Sequence, residues 1–292
     1  MQPTTVHDAS KALADYGEKA KIYAGGAELL LLMRHGLVQT EVLVNIKKIE
    51  RLNRVIWDRN VLRVGACVTH YALETSHLVR EHASLLADAE SQVANVRVRN
   101  QGTLGGNLCF NDPHSDPGTV LLVHEASVTL GSQRGERQMP LNDFFLDMYT
   151  TALEPEELLL EIQIPPLPEG MEGVYVRLHR YQRPTLGVAA AVRMNNGTFE
   201  EMRLAVGCIG PTARRLPELE SKIKGAKVSE VKNVLAEQKS YLRNVLQPMD
   251  DLLGSAEYKL YMTGVLLYDA LQQACTPTLP LPHRGVEDEL TP

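Results

Sequence analysis

The chain has 292 residues, of which 44% are hydrophobic and 23% charged, enough for two domains with separate cores and too apolar for a disordered adaptor. Its formal net charge of −6 argues against a nucleic-acid surface, which needs a clustered cationic face. Uninterrupted apolar stretches such as residues 29–33 fall far short of the roughly 18 needed for a membrane span, and Met1-Gln2-Pro3-Thr4 has no signal-peptide character, so a cytoplasmic protein is expected.

Taken in order, Ala12, Leu13 and Tyr16 recur at helical spacing and stop at Gly17. Residues 21–24 predict a short strand running into Gly25-Gly26, and residues 29–33 open a helix. A strand follows over 41–46, then a hairpin turning at Asp58-Arg59-Asn60, and Thr69 caps a helix that begins near Tyr71. A long helix over 85–94 hands over to Val96-Arg97-Val98-Arg99, whose period-two alternation predicts a strand with both arginines on one face. The glycine-rich run 102–107 comes next.

A Pro-rich segment at 165–170 marks a boundary between a first domain, 1–168, and a second, 169–275. In the second, 175–179, 186–194 and 202–209 read as antiparallel strands, with Asn195-Asn196-Gly197 as a hairpin turn. Long helices follow, one capped near Ser229 and the last over 255–274, with Ala256, Leu260, Leu267 and Leu271 along one side. The tail, 276–292, reads as a disordered extension, and no internal repeat is visible.

Metal chemistry finds little support. Cys67, Cys109, Cys208 and Cys275 lack C-x-x-C spacing, so they read as reduced, packed thiols rather than zinc or iron–sulfur ligands. His35, His70, His77, His82, His114 and His124 share no ligand spacing and read as surface or locally hydrogen-bonded side chains, so no metal is expected. The Asn-Asp-Pro-His-Ser-Asp stretch around Asp112 is turn chemistry.

The chemistry sits in two glycine turns. A Gly-Gly pair after a strand lets the backbone approach a ligand and leaves N–H donors free to face a pyrophosphate. Residues 24–29 (Ala-Gly-Gly-Ala-Glu-Leu) fit that demand and residues 102–107 (Gly-Thr-Leu-Gly-Gly-Asn) fit it again, although either alone is more often just a tight turn. Their joint presence, without a basic patch, favours backbone amides as the anion-binding device. No G-x-G-x-x-G occurs, so a Rossmann site is not supported.

The segments 23–30, 98–108, 112–116 and 157–165, with 206–212, Arg214-Arg215 and 254–259 in the second half, resemble the FAD-binding medium subunit of the xanthine dehydrogenase and aerobic carbon monoxide dehydrogenase (molybdenum hydroxylase) family, over about residues 3–275. The resemblance implies an α+β chain: a two-part FAD-binding domain of the vanillyl-alcohol-oxidase-like (PCMH) type, then a C-terminal domain of antiparallel sheet plus helices. It implies that Ile22, Tyr23, Ala24, Gly25, Gly26, Ala27, Glu28 and Leu29 wrap the FAD pyrophosphate and that Thr103, Leu104, Gly105, Gly106 and Asn107 form the second contact. Asp116 takes the place of a cofactor-binding carboxylate, Leu159 packs on the flavin, and His179, with Arg180 beside it, approaches the isoalloxazine. Ala27 replaces the family's usual hydroxyl, at a cost of about 1 kcal/mol if no water substitutes, and histidine at 179 replaces a frequent lysine. The chain also begins slightly late, without most of the family's usual first strand.

By the same resemblance the chain is an oxidoreductase subunit that passes electrons from [2Fe–2S] clusters of a small partner subunit through FAD to NAD⁺, a quinone or another acceptor. A molybdopterin-bearing large subunit attacks the substrate, in a dimer of heterotrimers. Two alternatives stand beside this: a stand-alone flavin oxidase or reductase, and a scaffold with a decayed flavin site.

Overall fold

The computed structural model describes residues 1–178 and 183–276; the expected tail beyond Thr276 lies outside them. The first helix, Val6–Tyr16, starts where Thr5 accepts from the Asp8 N–H at 3.1 Å and stops at Gly17, whose φ of +52° ends the helical path. It buries Ala9, Ala12 and Leu13 in a small core shared with β1 (Ala20–Tyr23) and β2 (Val42–Asn45). These two strands pair in parallel and are joined through the helix Leu29–Arg34. The turn leaving β1 contains Gly26 at φ +79°, a left-handed position that glycine adopts without strain.

A five-stranded antiparallel sheet follows. Strands β3 (Val55–Asp58) and β4 (Val61–Gly65) meet at Arg59 and Asn60, both at positive φ, as a two-residue turn between twisted strands requires. Strands β5 (Ser127–Ser132) and β6 (Gly135–Pro140) form a second hairpin, and β7 (Phe145–Asp147) and β8 (Thr150–Thr151) form a small separate one. Strand β9 (Leu158–Ile164) closes the sheet in the order β3-β4-β9-β5-β6.

The last sheet, β10 (Glu172–Leu178), β11 (Leu186–Asn195), β12 (Thr198–Gly207) and β13 (Arg214–Arg215), is antiparallel in chain order. Asn196 and Gly197, both at positive φ, make the expected hairpin turn. Strand β11 is buried on both faces. Ala189 and Ala191 face the core that includes the helix Pro117–Val123, whereas Leu186, Val188, Ala190 and Val192 face the helix Ala256–Cys275. Small residues on the first face let sheet and helix approach; branched residues fill the second. The long helix is capped by Ser255, which accepts from the Tyr258 N–H at 3.2 Å.

Three expectations are corrected. Residues 96–99 are not a strand: Val96–Gln101 is a helix, because Asn95 accepts from the N–H groups of Arg97 and Val98 and thereby nucleates the turn. Arg97 and Arg99 therefore do not share a strand face. The helix expected over 85–94 ends at Glu90, and Ala94 turns the chain at φ +44°. Ser229 does not cap a helix; it lies within a 3₁₀ turn, Val228–Glu230, which Glu230 closes by accepting from the Lys227 N–H. The helices between there and residue 246 are short.

Candidate functional site

A cavity of about 590 Å³ lies where the turn after β1, the segment 93–116, the start of β9 and the β10–β11 side of the second sheet converge. That volume is in the range of sites that hold small molecules and cofactors.

The first glycine turn supplies the donors. Among the described residues, no hydrogen-bond acceptor is reached by the backbone N–H groups of Gly25, Gly26, Ala27 or Glu28, while the Gly26 and Glu28 carbonyls accept from Leu30 and Leu32. All four residues line the cavity. Consecutive uncommitted amides on a concave surface form an anion-binding nest.

The second glycine run is different. It is not an open loop but the start of the helix Leu104–Phe110, with Thr103 as cap, accepting from the Gly106 N–H at 3.1 Å. Apart from the Thr103 N–H, which reaches no acceptor among the described residues, its other amides are committed inside the protein: Gly102 to Val98 O, Leu104 to Val68 O, Gly105 to Ala66 O and Asn107 to Thr103 O. The expectation that this run leaves donors free is therefore corrected for these residues. Its glycines serve close packing instead. A Cβ on Gly105 would stand 2.5 Å from that of Ala66, and one on Gly25 only 2.1 Å from the Gln101 carbonyl oxygen. Gly106 is the exception, since a side chain there would meet only the Thr103 hydroxyl, at 2.8 Å, before entering the cavity.

Asp116 joins the two domains' contributions. It is 4% exposed and lines the cavity; Tyr175 donates to Oδ1 at 2.5 Å and Arg177 to Oδ2 at 2.8 Å. Two residues apart on β10, Tyr175 and Arg177 share a face and grip one carboxylate. Burial pushes the Asp116 carboxyl up to about 6, although Arg177 and Tyr175 pull it down. Arg177 also donates to the Gln92 carbonyl at 2.7 Å, which ties β10 to the segment entering the cavity wall.

Several charged side chains near the mouth are paired. Arg183 bonds Asp112 at 2.6 Å and lies 3.6 Å from Glu28. Asp112 also accepts from the His114 N–H at 2.8 Å, the turn expected of it. His114 bridges the Pro184 carbonyl, 2.9 Å from Nδ1, and Asp251, 3.2 Å from Nε2. Burial raises the Asp251 carboxyl, but Lys259, the Leu253 N–H and His114 outweigh it and hold it below its ordinary value.

Of the expected site residues, Ile22, Ala24, Gly25, Gly26, Ala27, Glu28, Leu29, Thr103, Gly105, Gly106, Asn107, Asp116 and Leu159 line the cavity. Leu159 is placed by a bulge in β9, where the register with β5 slips between Thr129 and Leu130. Tyr23 is not on the cavity wall; its ring lies under the Lys47 ammonium, 4.5 Å away. Leu104 is fully buried in the core. His179 and Arg180 lie outside the described residues. Sequence reasoning missed His70, Val93, Ala94, Asn95, Phe110 and Arg177, all on the wall. The Tyr-x-Arg spacing of β10 and the capping character of Asn95 were the available signals; Ala94's turn left none. Among the described residues, no cluster of His, Cys, Asp or Glu could hold a metal ion, and no helix is long and apolar enough to cross a membrane.

Residues 1–167 match the family described as the FAD binding domain in molybdopterin dehydrogenase, and residues 177–274 match the CO dehydrogenase flavoprotein C-terminal domain. The carbon monoxide dehydrogenase medium chain of Hydrogenophaga pseudoflava is 31% identical over 93% of this chain and 95% of that one. The xanthine dehydrogenase FAD-binding subunit of Escherichia coli O157:H7 is 29% identical, over 92% and 93%. Among solved structures, carbon monoxide dehydrogenase from Hydrogenophaga pseudoflava superposes with a TM-score of 0.88 at 31% identity, covering 94% of this chain and 96% of that one. Quinoline 2-oxidoreductase from Pseudomonas putida 86 does so at 0.86 and 26% identity, over 94% and 95%.

Proposed function

The chain belongs to the FAD-binding medium-subunit family of molybdenum hydroxylases, and from that membership we propose that it holds one FAD noncovalently in this cavity and relays electrons without touching the organic substrate. The observation that carries the reading is the row of uncommitted amides from Gly25 to Glu28 on the cavity wall, which suits a pyrophosphate. The apolar Leu158 and Leu159 at the start of β9 also line the cavity and offer a flat aromatic ring a surface on which to pack. Asp116, anchored by Tyr175 and Arg177, offers a fixed acceptor for a ligand hydroxyl or N–H.

When bound, the isoalloxazine supplies the redox chemistry, taking up and releasing two electrons singly or as a pair. The residues of the chain orient it and set its electrostatics. Leu159 and Leu158 would exclude water from one wall, and the amide nest would hold the pyrophosphate. In this reading the electrons arrive from [2Fe–2S] clusters in a small partner subunit, after substrate oxidation at molybdopterin in a large one, within a cytoplasmic dimer of heterotrimers. They leave to NAD⁺, a quinone or another acceptor.

The test uses the purified chain and the assembled complex. Alone, FAD-loaded protein should oxidise NADH or reduce dyes, with no hydroxylation of purines, aldehydes or carbon monoxide. With its partners, substrate should bleach the flavin. Substrate-dependent bleaching in the rigorously purified single chain would overturn the relay.

A further inference from the structure

The cavity wall holds a buried polar pair that the reading above leaves unused. His70, at the start of the helix His70–Thr75, is 3% exposed and lines the cavity. Its Nδ1 lies 2.6 Å from Oε2 of Glu90, the last residue of the helix Ser84–Glu90, which has no exposure. The other carboxyl oxygen, Oε1, is buried without a hydrogen-bond partner among the described residues. Asp116, with its Tyr175 and Arg177 contacts, is within electrostatic reach of both members.

The imidazole is wedged against the second glycine run. Its backbone N–H donates to the Gly102 carbonyl at 3.1 Å, and a side chain on Gly102 would begin 3.0 Å from the ring's Cδ2 and 3.4 Å from Nε2. Gly102 is thus a glycine that makes room for this ring. Among the described residues Nε2 itself has no hydrogen-bond partner.

Hydrogen-bond chemistry leaves Nε2 for a ligand. Glu90 holds Nδ1, and an imidazole has one further ring nitrogen, which donates or accepts according to the tautomer. Nε2 is therefore the polar atom that this pair presents to the cavity.

We propose that His70 is a further FAD-binding residue, its Nε2 hydrogen-bonding a polar atom of the bound cofactor, with Glu90 as the positioning residue that fixes the ring. This rests on the reading that the cavity holds FAD. No proton or electron transfer is involved; one hydrogen bond forms on binding.

The test titrates FAD into apoprotein and follows quenching of flavin fluorescence, with melting of each apo form as the check on folding. The double variant His70→Phe/Glu90→Leu removes the pair without stranding a carboxyl and should weaken FAD binding about tenfold, the loss of one good hydrogen bond. Glu90→Gln should bind within about threefold of wild type, because the amide can still hold Nδ1 and orient the ring. Wild-type affinity in the folded double variant, or a loss in Glu90→Gln as large as in the double variant, overturns the proposal. So does a His70 Nε2 resonance that is unchanged on FAD binding in the ¹⁵N spectrum of histidine-labelled protein, a measurement that needs no variant. A wild-type chain that takes up no FAD overturns the parent reading as well, so the two failures are distinct.

Discussion

The carbonyl oxygen of Gln101 stands 2.1 Å from the point where a side chain on Gly25 would begin. The two glycine segments that flank the cavity therefore touch backbone to backbone, and the glycines have separable tasks. Gly25→Ala should push the segments apart and destabilise the apoprotein by about 1–3 kcal/mol, as overpacking does, while also lowering FAD affinity. Gly106→Val should stay folded, losing about 1 kcal/mol with the Thr103 cap, yet fill the cavity and abolish FAD binding. Melting curves and FAD titrations of the two variants check this; a Gly106→Val chain with full flavin occupancy contradicts it.

Asp116 is expected to shape stability against pH. Burial holds its carboxyl at about 6 in the folded chain, above the ordinary 3.8, so between those values the folded state binds more protons than the unfolded one. Stability should fall as the pH rises through that window, by up to about 3 kcal/mol. Asp116→Asn should flatten this part of the profile and weaken FAD binding, since Arg177 loses its anion. Denaturant midpoints between pH 4 and 7 read it out, and an unchanged slope in the variant counts against the assignment.

His124 acts in the opposite sense. Burial drives its imidazole down to about 4 from 6.5, despite the bond from Nδ1 to the Pro165 carbonyl. The unfolded state takes up the proton first, so the contribution is complete above about 6.5 and is lost as the pH falls towards 4, by about 3 kcal/mol at most. His124→Asn keeps a donor for Pro165 and should suffer less than wild type on acidification. Equal loss in both proteins between pH 7 and pH 4.5 would contradict this.

Where structure depends on neighbouring residues, the sequence was informative. Gly25-Gly26 after a short β run, the turns at Arg59-Asn60 and Asn196-Gly197, and the Thr69 cap are local devices, and each forms as its residues dictate. The four residues Val96–Arg99 mislead because so short an alternation cannot separate period two from a helical turn, and Asn95 settles the matter by capping. The second glycine run looks like the first in composition, but its role is tertiary. Ala66 sets the need for Gly105 and His70 the need for Gly102, from residues more than thirty positions away. The same holds for Arg177, whose meaning appears only when Asp116, on the other domain, lies across from it.

The central claim is that the amide nest and cavity bind one FAD through its pyrophosphate. Apoprotein should be reconstituted separately with FAD and with FMN, which lacks that pyrophosphate, then passed through gel filtration, and the retained flavin quantified by absorption. The account predicts one FAD per chain, released intact on denaturation, and little retained FMN. Equal retention of the two flavins, or a colourless chain that takes up neither, would contradict it.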